Sequence, residues 1–464
     1  IDDDMMKILP KELDSRISWD IIQEEFGSTE VIFIAFGKKD ESIFNQDALA
    51  SLWDVGEQLE ATNEVEEITS ISTITRMDNL DGFMEVDDLQ PYRDVTLDEV
   101  EDIRLYLEKN PTIKKRFVSE DDEYFMMMVQ PYTSDGLNYF RDKVVSIADP
   151  ILSNYDIYYG GQAYVTGTMP AMIRDDVIIL ARIGILIMVT ILLINLRSIA
   201  AVGMVIMVIG LSLFAMIGSM GWIYYLTGSD RFLFTLANTS MPIILLTIAN
   251  SDGVHVVSKF FKELIIKKDT KSAVASTMDS LLIPIFLTSI TTIAAFGTLT
   301  LSPLEPLFGY GIIIGIGIAW AWLLSSFLLP SVITLKSWNL KSNAISKPSF
   351  FEKIINKLGK VVFTHPKYIF SIGAFFVLIG LTGLSKVIVD VNMTNFFKPG
   401  TEIRDTMDFM DNKMTGTVDI RVRVEGDMKD PKTLSSMRKL QKSMEKDEKV
   451  LTSFSIANVV EQMH

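Results

Sequence analysis

The run MPIILLTIANSDGVHVVSK, residues 241–259, has the length and apolarity of a membrane span, but Asn250, Ser251, Asp252 and His255 interrupt it. A carboxylate inside a bilayer costs roughly 2.5–3.5 kcal/mol on insertion scales, so it needs a partner or a task. Asp252 and His255 are three apart and share one face of a helix. A carboxylate beside an imidazole is suited to binding and releasing a proton. The plainer reading is a helix end, where Asp252 hydrogen-bonds only His255 or the backbone, since Lys259 follows about two helical turns later. The residues by themselves leave both readings open.

A second polar group lies further along. Thr288, Ser289, Thr291 and Thr292 form a hydroxyl stripe in another apolar run, with Thr288 and Thr292 four apart on one face. Such hydroxyls either line a proton path beside a carboxylate or bond their own backbone and neighbouring helices. No metal centre is expected, because Asp252 and His255 have no further His or Cys beside them. No phosphate-binding Gly-rich loop closing on Lys-Ser or Lys-Thr is present, and no cofactor is expected. Residues 1–172 contain no histidine to activate a nucleophile, so the chain does not read as an enzyme.

Composition defines the elements that must carry these residues. Hydrophobic residues make up 48% of the chain and mean hydropathy is +0.28, between soluble and membrane norms. Apolar runs of spanning length cover 177–196, 199–220, 236–258, 281–300, 308–335 and 368–384. The expected organisation is an α+β domain over 1–172, a five-helix bundle over 173–335, a basic linker over 336–367, a further span within 368–388 and a second domain from 389 to 464. Lys259, Lys262, Lys267, Lys268 and Lys271 follow the third span. Lys336, Lys341, Lys347, Lys353, Lys357, Lys360 and Lys367 follow the fifth. The opposite connections carry Arg231 and no lysine. The positive-inside rule places the basic loops in the cytoplasm and both large domains outside it. Residues 259–268, with Phe260, Phe261, Leu264 and Ile265, read as an amphipathic helix on the cytoplasmic surface. Gly309, Gly311, Gly315 and Gly317 suit close helix packing within the bundle, and Pro242 and Pro284 are candidate kinks.

Within residues 1–172, strand patterns occur at 30–36, 65–74, 123–129 and 155–159, and helical patterns at 45–61, 97–107 and 134–148. This order suits a split β-α-β fold. Met126, Met127 and Met128 either line a flexible hydrophobic surface for substrate or, as is commoner for a Met-rich strand, belong to the core. Fourteen Lys and Arg face 37 Asp and Glu in this part, which argues against a nucleic-acid partner.

The start of the chain also resembles residues 390–424 at a constant offset. Pro10 meets Pro399, Gly27 meets Gly416, and the strand at 31–36 meets 420–424. The second copy follows a span, so the first is expected to follow one outside this sequence, and the second domain to continue beyond 464. Two parallel halves are a known transporter plan.

The motifs ANSDGVHVVSKFFKE (249–263) and IPIFLTSITTIAAFGTLTLSPLEPLFGYGIIIGIGIAWAWLLSSFLLPSVITL (283–335) resemble the fourth, fifth and sixth spans of the resistance–nodulation–division (RND) superfamily. The nearest resemblance is to the lipid-exporter-like branch that includes mycobacterial membrane large proteins, hopanoid transporters and Patched-like proteins. It implies that the six spans are family spans two to seven, with a sterol-sensing-like bundle and ferredoxin-like porter domains on the extracytoplasmic side of a bacterial inner membrane. It implies proton-driven export of a hydrophobic or lipid-like substrate. Proton coupling would run through Asp252, with His255, Asn250, Thr288 and Thr292 as candidate partners. Gly253 stands where many relatives carry tyrosine, which leaves the relay partner open. Membrane lipids, a lipid-like substrate, further copies of the chain and periplasmic accessory proteins are the partners this plan accommodates. A non-pumping lipid-sensing receptor and a protein-translocation accessory are the alternatives on the same fold.

Overall fold

The computed structural model describes residues 10, 12–28, 30–80, 83–134, 136–234, 236–340, 350–388, 395, 397–414, 416–417, 420–447 and 450–462. The chain divides into two compact units. A helical unit spans Ala171–Asp390, and an α+β unit joins the described residues of Lys11–Pro170 to those of Val391–His464.

The α+β unit begins with α1 (Asp14–Phe26), β1 (Ile32–Gly37), α2 (Gln46–Glu60) and β2 (Val65–Thr69). A β3–β4 hairpin (Thr75–Leu80, Phe83–Asp88), α3 (Leu97–Lys109) and α4 (Pro111–Phe117) follow. Then come β5 (Tyr124–Pro131), α5 (Leu137–Ile151) and β6 (Asp156–Gly160). Four strands pair antiparallel in the order β2-β5-β1-β6. Ile34 on the central β1 lies opposite Met127 on one side and Tyr159 on the other. The helices start where the sequence offers caps. Asn45 accepts from the Ala48 backbone N–H at 2.8 Å, and Thr96 and Glu99 form a reciprocal capping box. Ala48, Leu49, Leu52, Val55 and Leu59 give α2 a continuous buried face. Gly161 has φ +90°, and a Cβ there would meet the Val31 carbonyl oxygen at 2.3 Å, so only glycine fits this turn.

The expected single strand at 65–74 stops at Thr69. Ser70 and Thr73 close a turn there through side-chain bonds, with Thr73 Oγ1 donating to the Ile68 carbonyl at 2.9 Å.

The helical unit contains α6 (Gln162–Leu196, entered from the α+β unit), α7 (Ile199–Thr227), α8 (Met241–Lys267), α9 (Thr270–Gly297), α10 (Glu305–Leu323), a π-helical turn (Leu324–Leu328) and α11 (Leu329–Leu335). After these come α12 (Phe350–Thr364) and α13 (Pro366–Leu384). Six helices among the described residues are long and apolar enough to cross a membrane, and each expected span overlaps one of them. The five-helix bundle expected over 173–335 takes the form of four closely packed helices, α7 to α10. α6 joins their core through Met188, Val189, Leu192 and Leu196, in its last third. Glycine allows the close approach. A Cβ at Gly311 would meet the Phe296 carbonyl oxygen at 2.4 Å, and one at Gly317 would meet Met216 Sδ at 2.7 Å. Pro242 lies in the first turn of α8, where its missing N–H costs no bond and makes no kink, whereas Pro284 is inside α9.

Residues 259–268 do not form a separate surface helix. They are the last turns of α8, because Val257, Phe260, Phe261 and Leu264 continue the buried stripe of Ala249, Asp252, Gly253 and Val256 at helical spacing. Phe260 and Phe261 both meet the Trp338 ring at 5.4 Å. Part of the expected basic linker is helical as α12, while Lys341 and Lys347 lie outside the described residues.

The chain then returns to the α+β unit through α14 (Glu402–Lys413), α15 (Pro431–Met444) and α16 (Ile456–Gln462). Phe409 stacks on Tyr158 of β6 at 4.1 Å with planes 3° apart, and Met410 and Met414 cluster with Met126. Lys413 pairs with Asp121, and Arg423 with Glu25 at 2.6 Å. The repeated helix and glycine are present twice: α1 ends at Gly27 with φ +77°, and α14 is followed by Gly416 with φ +92°. The repeat stops short of the strand. Residues 420–424 pair with no strand among the described residues, and Ile420 and Val422 are exposed.

Candidate functional site

α8 faces the helical core along Leu245, Ala249, Asp252, Val256 and Phe260, so Asp252 occupies a core position that an aliphatic side chain would otherwise fill. It is 8% exposed. Ser289, buried on α9, donates its hydroxyl to Asp252 Oδ2 at 3.5 Å. The next residue, Gly253, lies against α7: a Cβ there would meet Val205 Cγ1 at 3.1 Å. Any larger side chain at 253 would have to displace Val205. This close packing suits glycine at 253.

The other expected site residues are placed differently. Asn250 is half-buried one turn before the Gly253–Val205 contact, and its Oδ1 has no hydrogen-bond partner among the described residues. His255 is exposed on α8, and no hydrogen bond joins it to Asp252 among the described residues. Thr288, Thr291 and Thr292 donate to carbonyls of their own helix at 2.8, 2.9 and 2.7 Å. Within the hydroxyl stripe, Ser289 is therefore the member that reaches the carboxylate.

Ser325 and Ser326 lie outside the candidates that residue type and spacing mark. They lie in the π turn, are 0% and 5% exposed, and their hydroxyls have no hydrogen-bond partner among the described residues. Pro330 explains the turn locally. It has no N–H to give the Ser326 carbonyl, and the helix widens so that the Leu329 N–H bonds Leu324. Two adjacent serines four and five residues before a proline, in an otherwise apolar run, are the signal that could have marked them. No group of three or more His, Asp or Glu gathers as a metal site among the described residues.

The family model described as the MMPL family matches residues 7–358, which include the whole of this polar layer. No curated protein matches the chain.

Proposed function

The chain belongs to the MMPL family, whose members are membrane transporters of the RND type, and from that premise we propose that it is a proton-driven exporter of hydrophobic or lipid-like substrates. The observation that carries this reading is Asp252. It is a buried carboxylate on a helix long and apolar enough to cross a membrane, packed among four such helices. Protonation removes a charge from surroundings that tolerate it poorly. Gaining and losing that proton then biases how α8 packs against α7 and α9, which is a means of coupling proton flow to rocking of the bundle. The four-stranded sheet, with its β2-β5-β1-β6 order, supports reading the α+β unit as a ferredoxin-like porter domain. The lysine-rich connections support placing that unit on the extracytoplasmic side, and a bacterial inner membrane is the setting we propose for it.

The test is transport of a fluorescent lipid analogue by the purified chain in vesicles carrying a pH gradient. Movement that stops when an ionophore collapses the gradient is expected. Movement that persists without the gradient rejects proton coupling, and lipid binding with no movement favours a sensing receptor.

A further inference from the structure

Most hydroxyls on these helices bond their own backbone, whether buried (Ser212, Thr277) or more exposed (Thr292, Ser331), while the buried Ser289 turns to Asp252 instead. Ser212, Thr277, Thr292 and Ser331 each donate to a carbonyl one turn back on their own helix, at 2.7–2.8 Å. Ser325 and Ser326 depart from both arrangements, since both hydroxyls are buried and neither has a hydrogen-bond partner among the described residues. A buried polar group without a partner is destabilising, so such groups are characteristically satisfied by something other than protein when the protein cannot do it.

Their depth in the bundle follows from the packing. Short connections make α8 and α9, and then α9 and α10, antiparallel, so α8 and α10 run in the same direction. Gly317 on α10 faces Leu245 on α8: a Cβ added there would lie 3.2 Å from Leu245 Cδ2. Eight residues on from Leu245 along α8 lies Gly253, and eight on from Gly317, just past the end of α10 in the π turn, lies Ser325, at a closely similar rise. The π turn packs against both α7 and α8. Ser325 and Ser326 therefore sit at the level of Asp252 and of Asn250, whose Oδ1 is also unpartnered among the described residues. Hydroxyls that can donate and accept, an amide oxygen that accepts and a carboxylate at one depth suit water, which supplies both kinds of bond.

We propose that Ser325 and Ser326 bind water against Asn250 and Asp252, and that this water is the immediate donor and acceptor of the Asp252 proton. On loading, a hydronium gives its proton to the carboxylate and remains as water; on release the carboxyl returns the proton to that water. The serines are positioning residues, and the proposal rests on the reading of Asp252 as the coupling carboxylate.

The test uses the full chain in proteoliposomes with two readouts. Radiolytic hydroxyl-radical labelling reports water held beside buried side chains, and a pH-sensitive dye reports proton flux. In the native chain, labelling is expected at Leu329 and Val256, which are 0% and 1% exposed. The double variant Ser325→Ala, Ser326→Ala is expected to lose that labelling and about tenfold in proton flux, the scale of one strong hydrogen bond. Absence of labelling in the native chain, or its survival in the double variant, overturns the proposal. Unchanged flux in the double variant while Asp252→Asn abolishes it overturns the proposal and leaves the coupling role of Asp252 standing. Lost labelling with flux unaffected by Asp252→Asn shows that the water is bound but that the coupling reading has failed.

Discussion

The hydroxyl of Ser289 on α9 lies 3.5 Å from Asp252 Oδ2 on α8, across the interface between the two helices. The contact is long for a hydrogen bond, and so it orients the carboxylate more than it stabilises it. Ser289→Ala is expected to lower gradient-driven transport about threefold. Thr288→Ala and Thr292→Ala are expected to leave it near the native level, since those hydroxyls bond their own helix backbone. Initial rates in proteoliposomes, normalised to reconstituted protein, decide this.

Gly253 predicts a packing effect that can be separated from chemistry. Gly253→Leu drives a side chain into Val205 and should cost about 1–3 kcal/mol, seen as a lower Tm of the detergent-solubilised chain. Adding Val205→Ala should recover part of that loss, because the two positions share one contact. Additive losses in the double variant would contradict the contact.

In the α+β unit, Phe409 stacks on Tyr158 and meets Tyr124 edge-on at 4.8 Å. Phe409→Ala should cost about 2 kcal/mol. Faster amide exchange in β6 and in α14 together is the expected signature, because the ring joins them.

Acid should act on a second contact of α14, the Lys413–Asp121 pair. Asp121 is lowered to about 2: burial opposes the shift, but hydrogen bonds from Lys413 and Ser119 and the Lys413 charge outweigh it. A carboxylate depressed on folding contributes stability above its unfolded value, roughly 3.9, and loses it as pH falls toward the folded value. The packing of α14 on the sheet should therefore weaken between about pH 4 and about pH 2. Asp121→Asn should remove that part of the pH dependence, as followed by near-UV circular dichroism.

Much of this was readable from residue types. Apolar runs of spanning length located six helices, β-branched and aromatic runs located the four strands of the larger sheet but not the β3–β4 hairpin, and Asp252 stood out as a carboxylate in an apolar run. What escaped depended on neighbours. Periodicity could not distinguish a surface helix at 259–268 from the end of α8, because Phe260 and Phe261 read as amphipathic until Trp338 covers them. The hydroxyls of 288–292 look alike in sequence, and only the packing of α9 turns Ser289 toward the carboxylate and the threonines to their own backbone. Ser325 and Ser326 gain meaning from the π turn that Pro330 imposes. The pairing of α14 with β6 joins residues more than 240 positions apart, which no local pattern reports.

Proton flux through Asp252 is the direct measure of the central claim. The purified chain and its Asp252→Asn variant are reconstituted at equal density into vesicles with an internal pH dye, and a pH jump is applied with substrate lipid present. The amide keeps the shape of the carboxyl and cannot cycle a proton. Native flux falling to the level of empty vesicles in the variant, with an unchanged Tm, is the predicted result. Flux retained by the variant would contradict the account.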